Sequence, residues 1–202
     1  MRKVLYIVHG AHTLSSRRRW LQRIIFLTYK YLFNFQPHYP ERHAWAPALA
    51  GSGVEVVDFT WSGKIVPYDI PQAVRQLTPL LQAHTGREVY FLTESIGTEI
   101  ALRSIGQCPG VTIRQLIALC PVSRPRTMHA FPAVYLRSAD DLFARFAHVV
   151  LWPLQCLHST KGRVRYYNLS LRHDQFKPSQ RVTIDGTTQT LLDFVKCCIS
   201  NN

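Results

Sequence analysis

The sequence predicts an α/β protein, a mostly parallel sheet covered by helices on both faces. Short β-branched apolar runs alternate with segments of helical period, and the runs lie far enough apart for crossover helices between them. The composition agrees: 47% of residues are apolar and 18% charged, against roughly 25% charged in an average domain, which excludes a disordered chain. No stretch reaches the ~18 uncharged apolar residues of a membrane span. The 202 residues are read as one domain, 1–202, of a size that buries its core without disulfide or metal staples.

Lys3–Val8 is apolar and β-branched and ends at His9-Gly10, as a buried strand does. Residues 17–35 form a basic, aromatic-rich helical stretch. Pro37, Pro40 and Pro47 then break the chain into a loop. Residues 54–60 read as a second strand closed by Trp61-Ser62-Gly63. Apolar positions 70, 73, 74, 77, 80 and 81 make one face of a helix over 70–84, stopped by Gly86. A third strand covers 88–92, with a helix over 97–105 behind it. Residues 113–119 make strand four, ended by Pro121, and 133–137 strand five, followed by a helix over 141–150. Residues 163–169 make strand six, and 188–199 a closing helix. Ligands of such sheets sit beyond the carboxyl ends of the strands, so the residues just after each strand carry the functional interest.

After the third strand comes Thr93-Glu94-Ser95-Ile96-Gly97, then helix-forming Thr98-Glu99-Ile100-Ala101-Leu102. The pentapeptide resembles the G-x-S-x-G nucleophile elbow of the α/β-hydrolases, with Thr93 replacing the first glycine. In that strained turn the residues two positions away must be small; Gly97 meets the demand and Thr93 meets it in part. The competing reading is an ordinary turn in which Ser95 caps the helix. The resemblance extends over nearly the whole chain. The family's triad runs serine, acid, histidine, with the acid after a late strand and the histidine after the last. Here strand five runs into Ser138-Ala139-Asp140-Asp141 and strand six into Ser170-Leu171-Arg172-His173-Asp174.

What the resemblance implies is a small serine esterase or lipase-like enzyme. Ser95 would be the nucleophile and His173 the base that takes its proton and later protonates the leaving group. Asp140 or Asp141 would hold the imidazole tautomer and stabilise its cation. The family's G-x-x-D pattern, with Ser138 in the glycine's place, points to Asp141. Asp140 lies nearer the strand, and whichever acid is left over would cap the next helix. Asp58 is the next candidate, and a solvated loop is the alternative for His173-Asp174. The oxyanion donors would be the N–H groups of Ile96 and Ala11, with Gly10 letting the backbone turn inward and His9 tying down the loop. Trp61 and Glu94 would line the substrate site, a plain packed turn being the alternative for Trp61.

Charge adds a second theme. Lys plus Arg number 24 and Asp plus Glu 12, a formal net charge of +12. Residues 1–40 hold Arg2, Lys3, Arg17, Arg18, Arg19, Arg23 and Lys30 and no acid. Such a field favours phospholipid surfaces, nucleic acid or acidic substrates. The long insertion 13–52 reads as a cap, a lid or a membrane-facing segment, because basic residues beside Trp20 and Phe26 suit an anionic lipid surface. A sheet-covering helix is the alternative. Nucleic acid ranks below both, since no RNA-recognition, KH, zinc-finger or helix-turn-helix signature accompanies the charge. The five cysteines contain no CxxC and the N-terminus no signal-peptide core, so a cytoplasmic protein, peripheral to membranes at most, is expected.

The function expected is cleavage of a small-molecule or lipid carboxylic ester, with amides and thioesters open on the same triad and no metal or organic cofactor. Two alternatives belong to other classes. One is a non-catalytic protein of the same fold that binds a lipid or protein partner; the other is a basic nucleic-acid-binding protein.

Overall fold

A computed structural model describes residues 3–10, 44–62, 69–122, 131–138, 164–171 and 175–200. In chain order they form β1 (Lys3–Val8), α1 (Trp45–Leu49), β2 (Glu55–Phe59), α2 (Asp69–Gln82), β3 (Glu88–Glu94), α3 (Gly97–Gly106), β4 (Thr112–Leu119), β5 (Ala133–Ser138), β6 (Val164–Leu169), β7 (Arg181–Ile184), β8 (Thr187–Thr190) and α4 (Leu191–Ser200). Strands β1 to β6 pair in the order β2-β1-β3-β4-β5-β6, and every pair is parallel. The α/β architecture and the six strands expected from the sequence are present. The helices expected over 17–35 and 141–150 lie outside the described residues.

β1 explains why the core has two halves. Successive side chains of a strand point to opposite faces, so Val4, Tyr6 and Val8 go one way and Leu5 and Ile7 the other. The first face is covered by α2 and α3 through Ile70, Val74, Leu77, Leu81 and Ile100. The second is covered by α1 and α4 through Trp45, Leu49, Leu191 and Val195. Both sets from β1 are fully buried, which is why this strand reads as an unbroken apolar run rather than an alternation.

Two expectations are corrected. The helix expected over 188–199 begins only at Leu191, because residues 187–190 are β8, paired antiparallel with β7. Asp185 (φ 50°) and Gly186 (φ 78°) take the left-handed conformations that a two-residue hairpin turn requires, and Val182 and Ile184 are buried. The expected loop around Pro47 contains α1. Pro47 falls in that helix's first turn, where its missing N–H would have had no intrahelical acceptor in any case. Of the insertion 13–52, the described part thus supplies a core helix.

The chain leaves β1 toward β2 on one side and returns to β3 on the other. The strand order therefore reverses at β1, and the carboxyl ends of β1 and β3 are the place where sheets of this kind hold ligands.

Candidate active site

Ser95 follows β3 directly and has φ 50°. A non-glycine residue held there costs on the order of 1–3 kcal/mol and persists only where its surroundings impose it. Here they do. Its N–H donates to the carbonyl of Leu119 (3.0 Å), and its own carbonyl accepts from Thr98 N–H (3.2 Å) at the start of α3. Ile96 occupies the cap position of α3 and no side-chain cap closes it, so the turn does not use Ser95 as a helix cap. The N–H groups of Thr98 and Glu99 are taken by the carbonyls of Ser95 and Ile96 (3.2 and 3.0 Å), and the helix dipole makes this end of α3 positive.

Two glycines let the turn close. A Cβ on Gly97 would lie 2.3 Å from the carbonyl oxygen of Val8 and 2.7 Å from that of His9, so α3 starts hard against the end of β1. A Cβ on Gly10 would lie 2.9 Å from Ser95 Cβ. Thr93, in the place of the motif's first glycine, is fully buried, and its hydroxyl is hydrogen-bonded to that of Thr98 (2.9 Å). The larger side chain is accommodated because α3 supplies a matching hydroxyl.

On the opposite face of the same strand ends lies a row of polar groups. His9 Nε2 is 2.7 Å from Asp58 Oδ1 and its Nδ1 is 3.4 Å from Glu94 Oε2. The other oxygen of Glu94 accepts from the indole N–H of Trp45 (3.1 Å), and Trp61 donates its indole N–H to the carbonyl of His9 (2.9 Å). His9 is 3% exposed. Burial opposes charge on this imidazole, but the hydrogen bonds to Asp58 and Glu94 and their charges prevail, pushing its pKa up to about 9. At neutral pH it is an imidazolium between two carboxylates.

The fold is similar to those of two solved structures. The type II thioesterase BorB from the borrelidin biosynthetic cluster matches with a TM-score of 0.53 and 15% identity, over 85% of this chain and 83% of that one. A dienelactone hydrolase from Anabaena variabilis matches with a TM-score of 0.52 and 14% identity, over 89% of this chain and 80% of that one. The chain has the α/β-hydrolase fold. Identities this low speak for the fold alone. No protein-family model matches the sequence, and neither does any curated protein.

Within the α/β-hydrolase frame, Ser95, Ile96 and Gly10 meet at the reversal of strand order, the place where such sheets hold ligands. Ala11, Asp140, Asp141 and His173 lie outside the described residues. Asp58 is bonded to His9. Trp61 is buried and Glu94 has both oxygens engaged within the protein. Ser138 ends β5, and its hydroxyl is buried without a hydrogen-bond partner. Among the described residues no group of His, Cys, Asp and Glu is arranged to hold a metal ion, and no helix is long and apolar enough to cross a membrane.

The feature that sequence reasoning missed is the row Asp58-His9-Glu94-Trp45. A partial signal exists, since each of the first three stands at or near the end of a strand. Seeing that they share one face requires the strand order and the register Ile7↔Asp58 and Val8↔Thr93, which are non-local.

Proposed function

We propose that this protein is a serine hydrolase that cleaves a carboxylic ester through an acyl-enzyme on Ser95. The observation that carries the reading is the left-handed Ser95, held in a strand-to-helix turn with Gly10 packed against it and Gly97 packed against the end of β1. Strain of that kind at the carboxyl end of a central strand is what presents a nucleophilic hydroxyl in this fold.

In the proposed reaction His173 removes the Ser95 proton as Oγ bonds to the carbonyl carbon. The N–H groups of Ile96 and Ala11 receive the oxyanion. The alcohol departs with the proton from His173, and water, activated by the same base, resolves the acyl-enzyme. Asp141 or Asp140 steadies the imidazolium. Glu94 and Trp61 form the supporting wall of this site. Thioester and amide carbonyls suit the same machinery, and the basic insertion 13–52 favours a small-molecule or lipid ester presented near an anionic surface.

The test is labelling of the full chain with a fluorophosphonate, together with hydrolysis of p-nitrophenyl butyrate. Wild type should react at Ser95, Ser95→Ala should not, and His173→Ala should lose nearly as much activity as Ser95→Ala because triad members act as a unit. Reaction at another serine removes the site assignment. No reaction at all favours a non-catalytic role for the fold.

A further inference from the structure

We propose that the cavity between the β7–β8 hairpin, α4 and the amino-terminal halves of β4, β5 and β6 binds an α-amino acid with a bulky apolar side chain, its carboxylate on Arg165 and its ammonium on Asp185. The site is separate from the one around Ser95. In a parallel sheet the amino ends of the strands lie along one edge and their carboxyl ends along the other, and Ser95 follows the carboxyl end of β3. The inference therefore does not depend on the reading of Ser95 as a nucleophile.

The second face of the sheet, the one under α1 and α4, is apolar along most of its length, as Leu5, Ile7, Leu92, Ile117 and Leu136 show. At one corner the pattern changes. Gln115 on β4 is in register with Tyr90, and Arg165 on β6 is in register with Val134, so both belong to this same face. Over that corner the hairpin and α4 leave a cavity of about 590 Å³, within the ~300–1,000 Å³ of small-molecule sites. Its apolar lining includes Val134 and the rings of Tyr167 and Phe194, which meet edge to face with centroids 5.9 Å apart. Val134 and Phe194 are buried, and the amide of Gln115, buried too, adds a polar group to the lining. An apolar body placed there leaves water for an apolar surface already formed by the fold.

Charge narrows the guest. Among the described residues lining the cavity, Arg165 and Asp185 are the charged ones, and both are exposed, as groups at a rim are. Tyr167 joins them. Its hydroxyl donates to Asp185 Oδ2 (2.9 Å), and the Arg165 guanidinium bonds to the same hydroxyl. Two opposite charges are thus gathered around one oxygen, and each keeps capacity for a guest, since a guanidinium has five N–H groups and a carboxylate two oxygens. Asp185 is placed by its backbone, at φ 50° in the two-residue turn of the hairpin. An anion alone would meet the repulsion of Asp185, and a cation alone that of Arg165. A guest with both charges side by side and an apolar body next to them satisfies the two residues and the apolar lining together. An α-amino acid with an aromatic or large aliphatic side chain is such a molecule.

The test is calorimetric titration of the full chain with L-phenylalanine and with three analogues. Phenylacetate keeps only the negative charge, phenethylamine only the positive one, and N-acetyl-phenylalanine amide neither. Wild type should bind L-phenylalanine with a Kd of about 1 mM or lower, and each analogue about tenfold more weakly or worse. Arg165→Gln and Asp185→Asn should each weaken L-phenylalanine by about tenfold. The same changes should tighten the singly charged probes, phenylacetate in Asp185→Asn and phenethylamine in Arg165→Gln, because each removes a repulsion. Both variants should keep the fold, since asparagine suits the left-handed turn position and Arg165 is exposed. Ser95→Ala should bind L-phenylalanine as wild type does. No binding of L-phenylalanine to wild type overturns the proposal, and so does equal binding of the analogues or wild-type affinity in both charge variants. Loss of binding in Ser95→Ala overturns the placement in this cavity. A wild type that binds L-phenylalanine but is never labelled by a fluorophosphonate supports the proposal and overturns only the hydrolase reading.

Discussion

Gly10 and Ser95 face each other across the reversal of strand order with no room for a methyl group between them. A Cβ on Gly10 would meet Ser95 Cβ at 2.9 Å and the carbonyl oxygen of Glu94 at 3.2 Å. Neither neighbour is free to give way, since Ser95 is held in its left-handed conformation by the turn and Glu94 belongs to β3. Gly10→Ala should therefore push the turn after β1 away from the nucleophile. A loss of about 1–3 kcal/mol in stability is expected from overpacking. Labelling of Ser95 should slow by about 100-fold, the scale associated with a displacement of about 1 Å at a reacting centre. Gly110→Ala serves as the control, because its nearest neighbour would be a Thr85 methyl group at 4.0 Å. Urea denaturation and labelling rates on both variants check this; equal behaviour of the two would show that the contact does not constrain the site.

Thr93 and Thr98 form a buried pair, and a double-mutant cycle can weigh it. Both residues are fully buried and their hydroxyls are 2.9 Å apart. Thr93→Val keeps the shape but strands the Thr98 hydroxyl, whereas Thr98→Val leaves the Thr93 hydroxyl only its long 3.5 Å bond to the carbonyl of Ile117. Each single change should cost on the order of 1–3 kcal/mol, because an unsatisfied buried hydroxyl bears its full desolvation penalty. The double variant should be more stable than the sum predicts by about 1 kcal/mol, since it removes both hydroxyls together. Additive losses in chemical denaturation would mean that the pair does not support the turn.

These two sites show which parts of the protein the sequence makes legible. The strands could be read because both faces of the sheet are covered, which forces unbroken β-branched runs such as Lys3–Val8. Ser95 and Gly97 were legible because the turn's demands are local to five residues. That Gly10 would touch Ser95 was readable only through the family's motif, since nothing within either segment encodes the contact. Asp185-Gly186 between alternating residues is a strong turn signal for the β7–β8 hairpin, yet the apolar period of Leu191, Val195 and Ile199 draws the expected helix back over three residues, 188–190, that pair as a strand. The bridge from His9 to Asp58 and Glu94 joins three strands, and a pattern in one segment cannot report it.

The pH dependence of stability follows from His9. Its pKa is about 9 in the folded protein against an ordinary 6.5, so the folded state binds the proton more tightly than the unfolded chain. The sign is that of a raised pKa: the stabilisation is complete below about pH 6.5, declines as pH rises from there, and is gone above about pH 9. A shift of that size corresponds to about 3 kcal/mol for a group this deeply buried. Urea midpoints measured from pH 6 to pH 10 should fall across this interval in wild type. In Asp58→Asn, which loses the shorter of the two bonds to His9, the fall should be smaller and shifted to lower pH. A flat wild-type profile would show that His9 is not held as a cation.

Substitutions at Ser95 itself separate backbone strain from chemistry. At φ 50° serine and alanine pay the same steric penalty, because both carry a Cβ, whereas glycine occupies the left-handed region without it. Ser95→Ala and Ser95→Gly should be equally dead toward a fluorophosphonate. In denaturation, however, Ser95→Gly should exceed Ser95→Ala by about 1 kcal/mol, the relief of the left-handed strain being partly offset by the greater freedom of glycine in the unfolded chain. For a chain of this length that is a rise of roughly 2–4 °C in Tm. A Ser95→Ala variant as stable as Ser95→Gly would mean that the turn relaxes once the hydroxyl is gone, and the strain would then belong to the side chain's own contacts rather than to the packing of Gly10 and Gly97 around it.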